Sequence, residues 1–346
     1  MNTTSLLGIF AVAFAGLVIG SGAWPMKLMK KFQFEHWWFI GMLTGLIVIP
    51  WFVTLAFCPN AFTAYATVPA KTLITANLWA AGWGVANILC GLCFVRIGMA
   101  LTGAILTGLG VSIGVTLPMI VKGSGLFQDA ASPTSPAGLT VLAGVAVMLV
   151  GVVFAALAGF GRDRALQKQE QCSGSFFGGL IMTIIAGVLS CGMSLSFVYG
   201  QGPIVDAMKE QHAGDLPATF AVWAVCLLGG SLLNVLYPAY LMTKKKSWSV
   251  LGESWKELTL AVIIGLNMAI GVVLIGRGMV TLGALGASVG FGIQQASQML
   301  GGQGVGFISG EWKGVFGKPR YQMYAAIAVL IIAALIMAFG NSLEKA

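Results

Sequence analysis

The chain has 346 residues, is 58% hydrophobic and only 9% charged, and has a mean hydropathy of +0.90. Those values exclude a water-soluble globular domain and point to a chain embedded in a bilayer. The net charge of +8 does not indicate nucleic acid, because the basic residues sit in short loops that are alternately rich and poor in them along the chain.

Cutting the sequence at its charged residues leaves ten long uncharged runs, within 1 to 26, 36 to 70, 72 to 95, 97 to 121, 130 to 161, 171 to 205, 216 to 243, 258 to 276, 278 to 310 and 321 to 343. Each supplies the ~20 residues an α-helix needs to cross a hydrocarbon core. The expected fold is therefore an all-α integral membrane protein of ten transmembrane helices, with no room for a soluble domain. Lys27, Lys30, Lys31, Arg96, Arg162, Arg164, Lys168, Lys244, Lys245, Lys246, Lys256, Lys313, Lys318 and Arg320 fall in odd-numbered loops, fourteen of the nineteen basic residues. The positive-inside rule puts those loops in the cytoplasm and both termini on the outer side of a cell inner membrane. The first apolar run has a basic cluster after it and none before it, the reverse of a cleavable signal, and is read as a retained helix. Trp37, Trp38 and Trp51, near the ends of the second run, are read as interfacial anchors. Of six cysteines, Cys90 and Cys93 have C-x-x-C spacing, but no second pair or histidine accompanies them. They read as small apolar residues of a packed helix.

Shifting residues 87 to 104 by 180 positions lays NILCGLCFVRIGMALTGA on NMAIGVVLIGRGMVTLGA, so that Asn87 meets Asn267, Gly98 meets Gly278 and Met99 meets Met279. A shift of 171 lays Gly8, Ala15 and Gly16 on Gly179, Ala186 and Gly187. A repeat of five spans has an odd number of crossings, so its copies face opposite ways across the membrane. The expected arrangement is two inverted five-helix repeats, 1–160 and 175–346, joined by a cytoplasmic connection at 161–174, with a site near the midplane between them.

Every acidic residue sits at a helix end or in a loop. A charge deep in a bilayer is costly and usually functional, so its absence points to a neutral solute. Glu257 and Glu311 lie closest to apolar runs and are the candidates for carrying a coupling proton. Trp79, Trp83 and Asn87 recur every four positions and share a helix face. Two indoles ending in a carboxamide suit a sugar, whose C–H face rests on an aromatic ring while its hydroxyls pair with the amide. Asn267 offers a second amide by the repeat. Gln294, Gln295 and Gln298 place at least two amides on one face of the ninth run, and Ser190, Ser194 and Tyr199 line part of the sixth. The competing reading of each is a buried amide bonding its neighbour helix.

SGAWPMKLMKK at 21 to 31, WGVAN at 83 to 87 with RIGMA at 96 to 100, and GEWKG at 310 to 314 together resemble the bacterial L-rhamnose-proton symporter family of the drug/metabolite transporter superfamily. The resemblance spans nearly the whole chain and is best over the first four helices. It implies ten helices in two inverted halves, a central cavity, and uptake of a sugar with a proton. The second half departs from the family pattern. Met268, Gly271 and Ile275 stand where that pattern has tryptophan, glutamine and tyrosine, and Gln294 stands where it has a histidine, an amide in place of a group that titrates.

The expectation is a secondary transporter of a neutral sugar or sugar derivative, working by alternating access and coupled to protons. An exporter on the same scaffold and a facilitative or sodium-coupled carrier are the alternatives. No nucleophile and base converge, so no enzyme is expected, and no cofactor, metal or nucleic acid enters the reading.

Overall fold

Without water to satisfy it, a backbone in hydrocarbon must pair with itself, and this chain does so by being helical almost throughout. The computed structural model describes residues 3–344 except 98 and 167–175. Its helices are α1 (Thr3–Gly22), α2 (Phe34–Met42), α3 (Ile49–Phe57), α4 (Ala61–Thr67), α5 (Ala70–Ile97), α6 (Met99–Val121), α7 (Pro136–Ala165), α8 (Phe176–Ser190), α9 (Gly192–Glu210), α10 (Asp215–Cys226), α11 (Leu228–Lys245), α12 (Trp255–Leu282), α13 (Gly286–Ile308) and α14 (Lys318–Glu344). A π-helical turn, Leu43–Val48, joins α2 to α3. The start of α7 shows the local logic: Pro136 occupies the first turn, where no N–H is needed, and the Ser135 hydroxyl accepts the Gly138 N–H at 3.0 Å.

Among the described residues, eight helical segments are long and apolar enough to cross a membrane, or nine if α10 and α11, which meet at 59°, form one broken span. The sixth uncharged run is likewise two helices, α8 and α9, interrupted at Cys191. Helix α13 falls short on composition because Gln294, Gln295, Gln298 and Gln303 lower its hydropathy. It lies inside the bundle against α1, α6, α12 and α14. The connection assigned to 161–174 is described only as far as residue 166, where Gly161–Ala165 complete the last turns of α7.

Helix α1 lies against α12 and α13, and α5 against α8, α9 and α11; α8 also meets α6, α2 meets α11 and α12, and α7 meets α14 along its length. Glycine makes the closest of these approaches. A Cβ on Gly16 would lie 2.3 Å from the Gln294 carbonyl oxygen, and one on Gly20 would lie 2.0 Å from that of Gln298. The π-helical turn after α2 crosses α12 in the same way, with Gly45 against the Gly265 carbonyl. Such contact replaces the hydrophobic drive that lipid cannot supply. Outside, Leu7, Phe10, Phe14, Ile74, Leu78, Leu335 and Phe339 are all exposed, an apolar surface far larger than a soluble protein carries.

The two ends of the bundle differ. At the end where α1, α7 and α11 finish, Lys27 pairs with Glu311, whose other oxygen lies 3.1 Å from Arg162; Arg162 also holds Asp163 at 2.8 Å. At the opposite end, Phe127, Phe197 and Trp223 are fully buried. Phe197 stacks on Trp223 at 4.7 Å and meets Phe127 at 6.3 Å. The Ser124 hydroxyl pins this seal, donating to the Val198 carbonyl at 3.0 Å and accepting the Gly202 N–H at 3.1 Å.

Candidate functional site

A cavity of about 290 Å³ lies between α1, α2, α5, α6, α9, α12 and α13. It is set toward the end of the bundle that carries the basic residues, since Ile19, Gly22 and Ala23 border it from the last turn of α1, and Trp37, Trp38 and Met42 from α2. Helix α5 contributes Trp83 and Asn87, α13 contributes Phe291, Gln294, Gln295 and Gln298, and Ser190 closes one side. Leu106, Met193, Ile264 and Met268 complete an apolar wall. Among these lining side chains there is no ionisable group.

The amides are oriented rather than free. Asn87 donates to Asn234 Oδ1 at 3.1 Å, and the buried Asn234 in turn donates to the Gly230 carbonyl at 2.9 Å. That leaves the Asn87 carbonyl oxygen as an acceptor for a ligand hydroxyl. Gln294 donates to Gln298 Oε1 at 2.6 Å, one turn apart on α13. The approach of Gly16 and Gly20 to the backbone of those two glutamines fixes how far α13 stands from α1. The Ser190 hydroxyl is turned to the Gly187 carbonyl at 2.7 Å.

Six residues singled out from the sequence, Trp83, Asn87, Ser190, Gln294, Gln295 and Gln298, thus border one cavity. Others lie elsewhere. Trp79 is a turn earlier on α5, outside the lining, where its carbonyl packs on Gly192. Asn267 is spent on the end of α1, its amide reaching the Gly22 carbonyl at 3.4 Å. Tyr199 packs half-buried against the core of α9, and the Ser194 hydroxyl is buried without a hydrogen-bond partner.

The two carboxylates proposed for coupling are occupied away from the cavity. Glu257, in the first turn of α12, accepts the backbone N–H groups of Lys30, Lys31 and Phe32 at 2.7 to 3.2 Å. It clamps the chain that leaves α1. Glu311 is held between Lys27 and Arg162.

One reading needs correction. Trp37 and Trp38 are not interfacial anchors: Trp37 is buried, and both border the cavity because α2 enters the bundle at that point. Asn234, which orients Asn87, carries no sequence signal of that role; it lies 147 positions away, and only the approach of α11 to α5 brings the two together.

The sequence matches the family described as L-rhamnose-proton symport protein (RhaT) over residues 1–343. It is 26% identical to the L-rhamnose-proton symporter of Pectobacterium atrosepticum, over 98% of this chain and 99% of that one. It is 25% identical, with the same coverage, to the proteins of that name from Yersinia pestis and Yersinia pseudotuberculosis. Those relatives are named as symporters rather than enzymes. A match along all but the last three residues is of family rank, and the chain belongs to the L-rhamnose-proton symport family.

Proposed function

We propose that the protein is a proton-coupled carrier of a neutral monosaccharide, with L-rhamnose or a related deoxy sugar as the first candidate, working by alternating access across the inner membrane. One observation carries the reading: the cavity has no ionisable side chain, yet it combines indoles with oriented carboxamides. Indole faces suit the C–H face of a pyranose, and amides exchange hydrogen bonds with its hydroxyls. Met193, Met268 and Ile264 give a methyl-bearing sugar an apolar wall. The volume is at the lower edge of the roughly 300–1,000 Å³ of drug-sized sites, as suits a single ring. The family's named transport couples sugar to a proton, and none of the relatives' names carries sodium.

Counting α13 and the bent α10–α11 pair as spans gives ten, in two inverted five-span halves with both termini outside. The helix pairing supports this. The contacts of α1 with α12 and α13 are matched, five spans on, by those of α8 with α5 and α6. Gly16 sits on α13 as its counterpart Gly187 sits on α6, where an added Cβ would lie 2.9 Å from Leu109 Cβ. Small residues at the contacts between halves allow them to rock about a fixed site.

The test is uptake by proteoliposomes of labelled L-rhamnose and other neutral monosaccharides, with and without an imposed pH gradient. Accumulation that follows the gradient and fails in Trp83→Ala and Asn87→Ala is expected. Absence of exchange with every neutral sugar would overturn the proposal.

A further inference from the structure

A carrier driven by protons must bind one, and the cavity offers no group to do so: its lining is neutral, Gln294 does not titrate, and Glu257 and Glu311 are committed elsewhere. We propose that His36, on α2 beside the cavity, is the proton-binding residue of the transport cycle. This rests on the reading of the chain as a proton-coupled sugar carrier.

The imidazole is buried, 2% exposed. Its Nδ1 accepts the Gln33 backbone N–H at 3.0 Å, and its Nε2 faces the carbonyl and hydroxyl oxygens of Ser247, both at 3.1 Å. A nitrogen that accepts an N–H has its lone pair free, so the ring is neutral with its proton on Nε2, donated toward Ser247. The ring therefore holds two pieces together: the start of α2, and the turn after α11 that contains Ser247.

A second proton has one place to go. On Nδ1 it would confront the Gln33 N–H, donor against donor at 3.0 Å, and that bond would be lost. The nearest opposite charge, the Glu35 carboxylate, attracts a charge on His36 but is already engaged. Glu35 is paired with Lys245 at 2.8 Å. From α12, Glu257 is engaged by the chain at 30 to 32; Lys31 pairs with Glu253 at 3.5 Å; and Lys244 and Lys246 flank Lys245 in the chain, adding positive charge near Ser247. Protonation thus requires the start of α2 to shift from the turn after α11, or Glu35 to exchange Lys245 for the imidazolium. Either movement is passed to the next two residues, Trp37 and Trp38, which border the cavity. The π-helical turn at Leu43–Val48 is a point where α2 can move without dragging α3. Imidazole is the side-chain type that exchanges protons between about pH 5 and 8.

His36→Gln separates proton binding from support of the helix, because glutamine three residues after a helix N-cap still accepts the N-cap N–H but does not titrate; His36→Asn is a second such variant. Both should retain sugar counterflow, with no pH dependence, and lose accumulation driven by an imposed gradient, which for one proton per sugar is about tenfold per pH unit. Accumulation at the wild-type level in either variant would overturn the proposal. Equal loss of counterflow and of accumulation in both would assign His36 a structural role and overturn it as well. Wild-type protein that exchanges no neutral sugar would instead overturn the carrier reading, and this inference with it. His36 and His212 are the two histidines of the chain, so ¹⁵N-imidazole NMR of wild type reads the group directly. A His36 ring that keeps its Nε2–H tautomer from about pH 5 to 8, with and without sugar, would refute proton binding even if both variants fail to fold.

Discussion

The contact of α1 with α13 is among the tightest supports of the cavity wall, and Gly20→Ala tests it. The added Cβ would lie 2.0 Å from the Gln298 carbonyl oxygen, 2.8 Å from its carbon and 3.0 Å from its Cα. These are backbone atoms of a buried helix, so no rotamer change relieves them, and α1 must retreat by about 1 Å. Overpacking of this kind costs typically about 1–3 kcal/mol. The retreat also separates Ile19 and Gly22 from Gln294 and Gln298 across the cavity. Sugar binding should therefore weaken along with stability. Gly304→Ala is the matched control on α13: its Cβ meets nothing within 4 Å, and replacing a mid-helix glycine there should be neutral or gain about 0.5–1 kcal/mol. Thermal unfolding in detergent, with and without sugar, reads the stability difference, and counterflow gives the KM. If Gly20→Ala unfolds with Gly304→Ala and keeps the wild-type KM, the backbone contact is not what positions the glutamines, and the account of the wall fails.

Asn87→Ala leaves Asn234 Oδ1 without its donor at a residue only 1% exposed, which should cost about 1–3 kcal/mol. Adding Asn234→Ala should recover part of that in a double-mutant cycle read by thermal unfolding. Glu257→Ala removes the acceptor of three backbone N–H groups, of which that of Phe32 is buried, and should lower stability by about 1–3 kcal/mol. It should not change the pH profile of any transport that remains, an outcome measured by uptake across pH. Lys27→Ala breaks a pair whose side chains are 29% and 38% exposed, so its effect on unfolding should stay under about 1 kcal/mol, while the rate of sugar release in counterflow should change.

Residue type and spacing carried the helical character of the fold, because hydrocarbon leaves a spanning chain few choices and the charges mark where it leaves. The uncharged run at 278–310 marked α13, which a hydropathy threshold alone misses because of its glutamines although the bundle buries it; the breaks in the sixth and seventh runs left no such mark. The convergence of Trp83 with Asn87, and of Gln294 with Gln298, was legible because i to i+4 spacing is local. What depends on how distant helices meet was not. Tryptophan near a helix end is common at lipid interfaces, so Trp37 and Trp38 gave no local sign of facing inward. Asn267 was reached by aligning one stretch of sequence on another, and its side chain is instead taken by the end of α1. Glu257 was legible as a helix-end carboxylate; its role as a clamp depends on a chain segment 225 to 227 positions earlier.

The two ends of the bundle oppose opening by different physics, and this sets which side the empty carrier faces. At the basic end, Glu257 with residues 30–32, Glu35 with Lys245 and His36 with Ser247 tie the start of α2 and the chain before it to α11 and α12, and beside the end of α13 the two parts of the chain meet through ion pairs of Lys27 and Arg162 with Glu311, with side chains 20% to 38% exposed. Such pairs contribute at most about 1 kcal/mol each. At the other end, Phe127 from the first part is packed on Phe197, which stacks on Trp223. Rings of this size bury about 150–250 Å² each, and at roughly 25 cal/mol per Å² full exposure of one costs about 4–6 kcal/mol. Even partial separation of the aromatic seal is therefore harder than breaking the ion pairs at Glu311, and the unliganded protein should open first across Glu311 rather than at the aromatic end. Single cysteines at Gln303, beside Glu311, and at Leu126, beside Phe127, report this in a background without native cysteines. The first should react with a membrane-impermeant maleimide from the side of the basic loops, and the second should stay protected until Phe127→Ala loosens the seal. Equal labelling of both in the unliganded protein would show that the aromatic cluster does not hold that end closed.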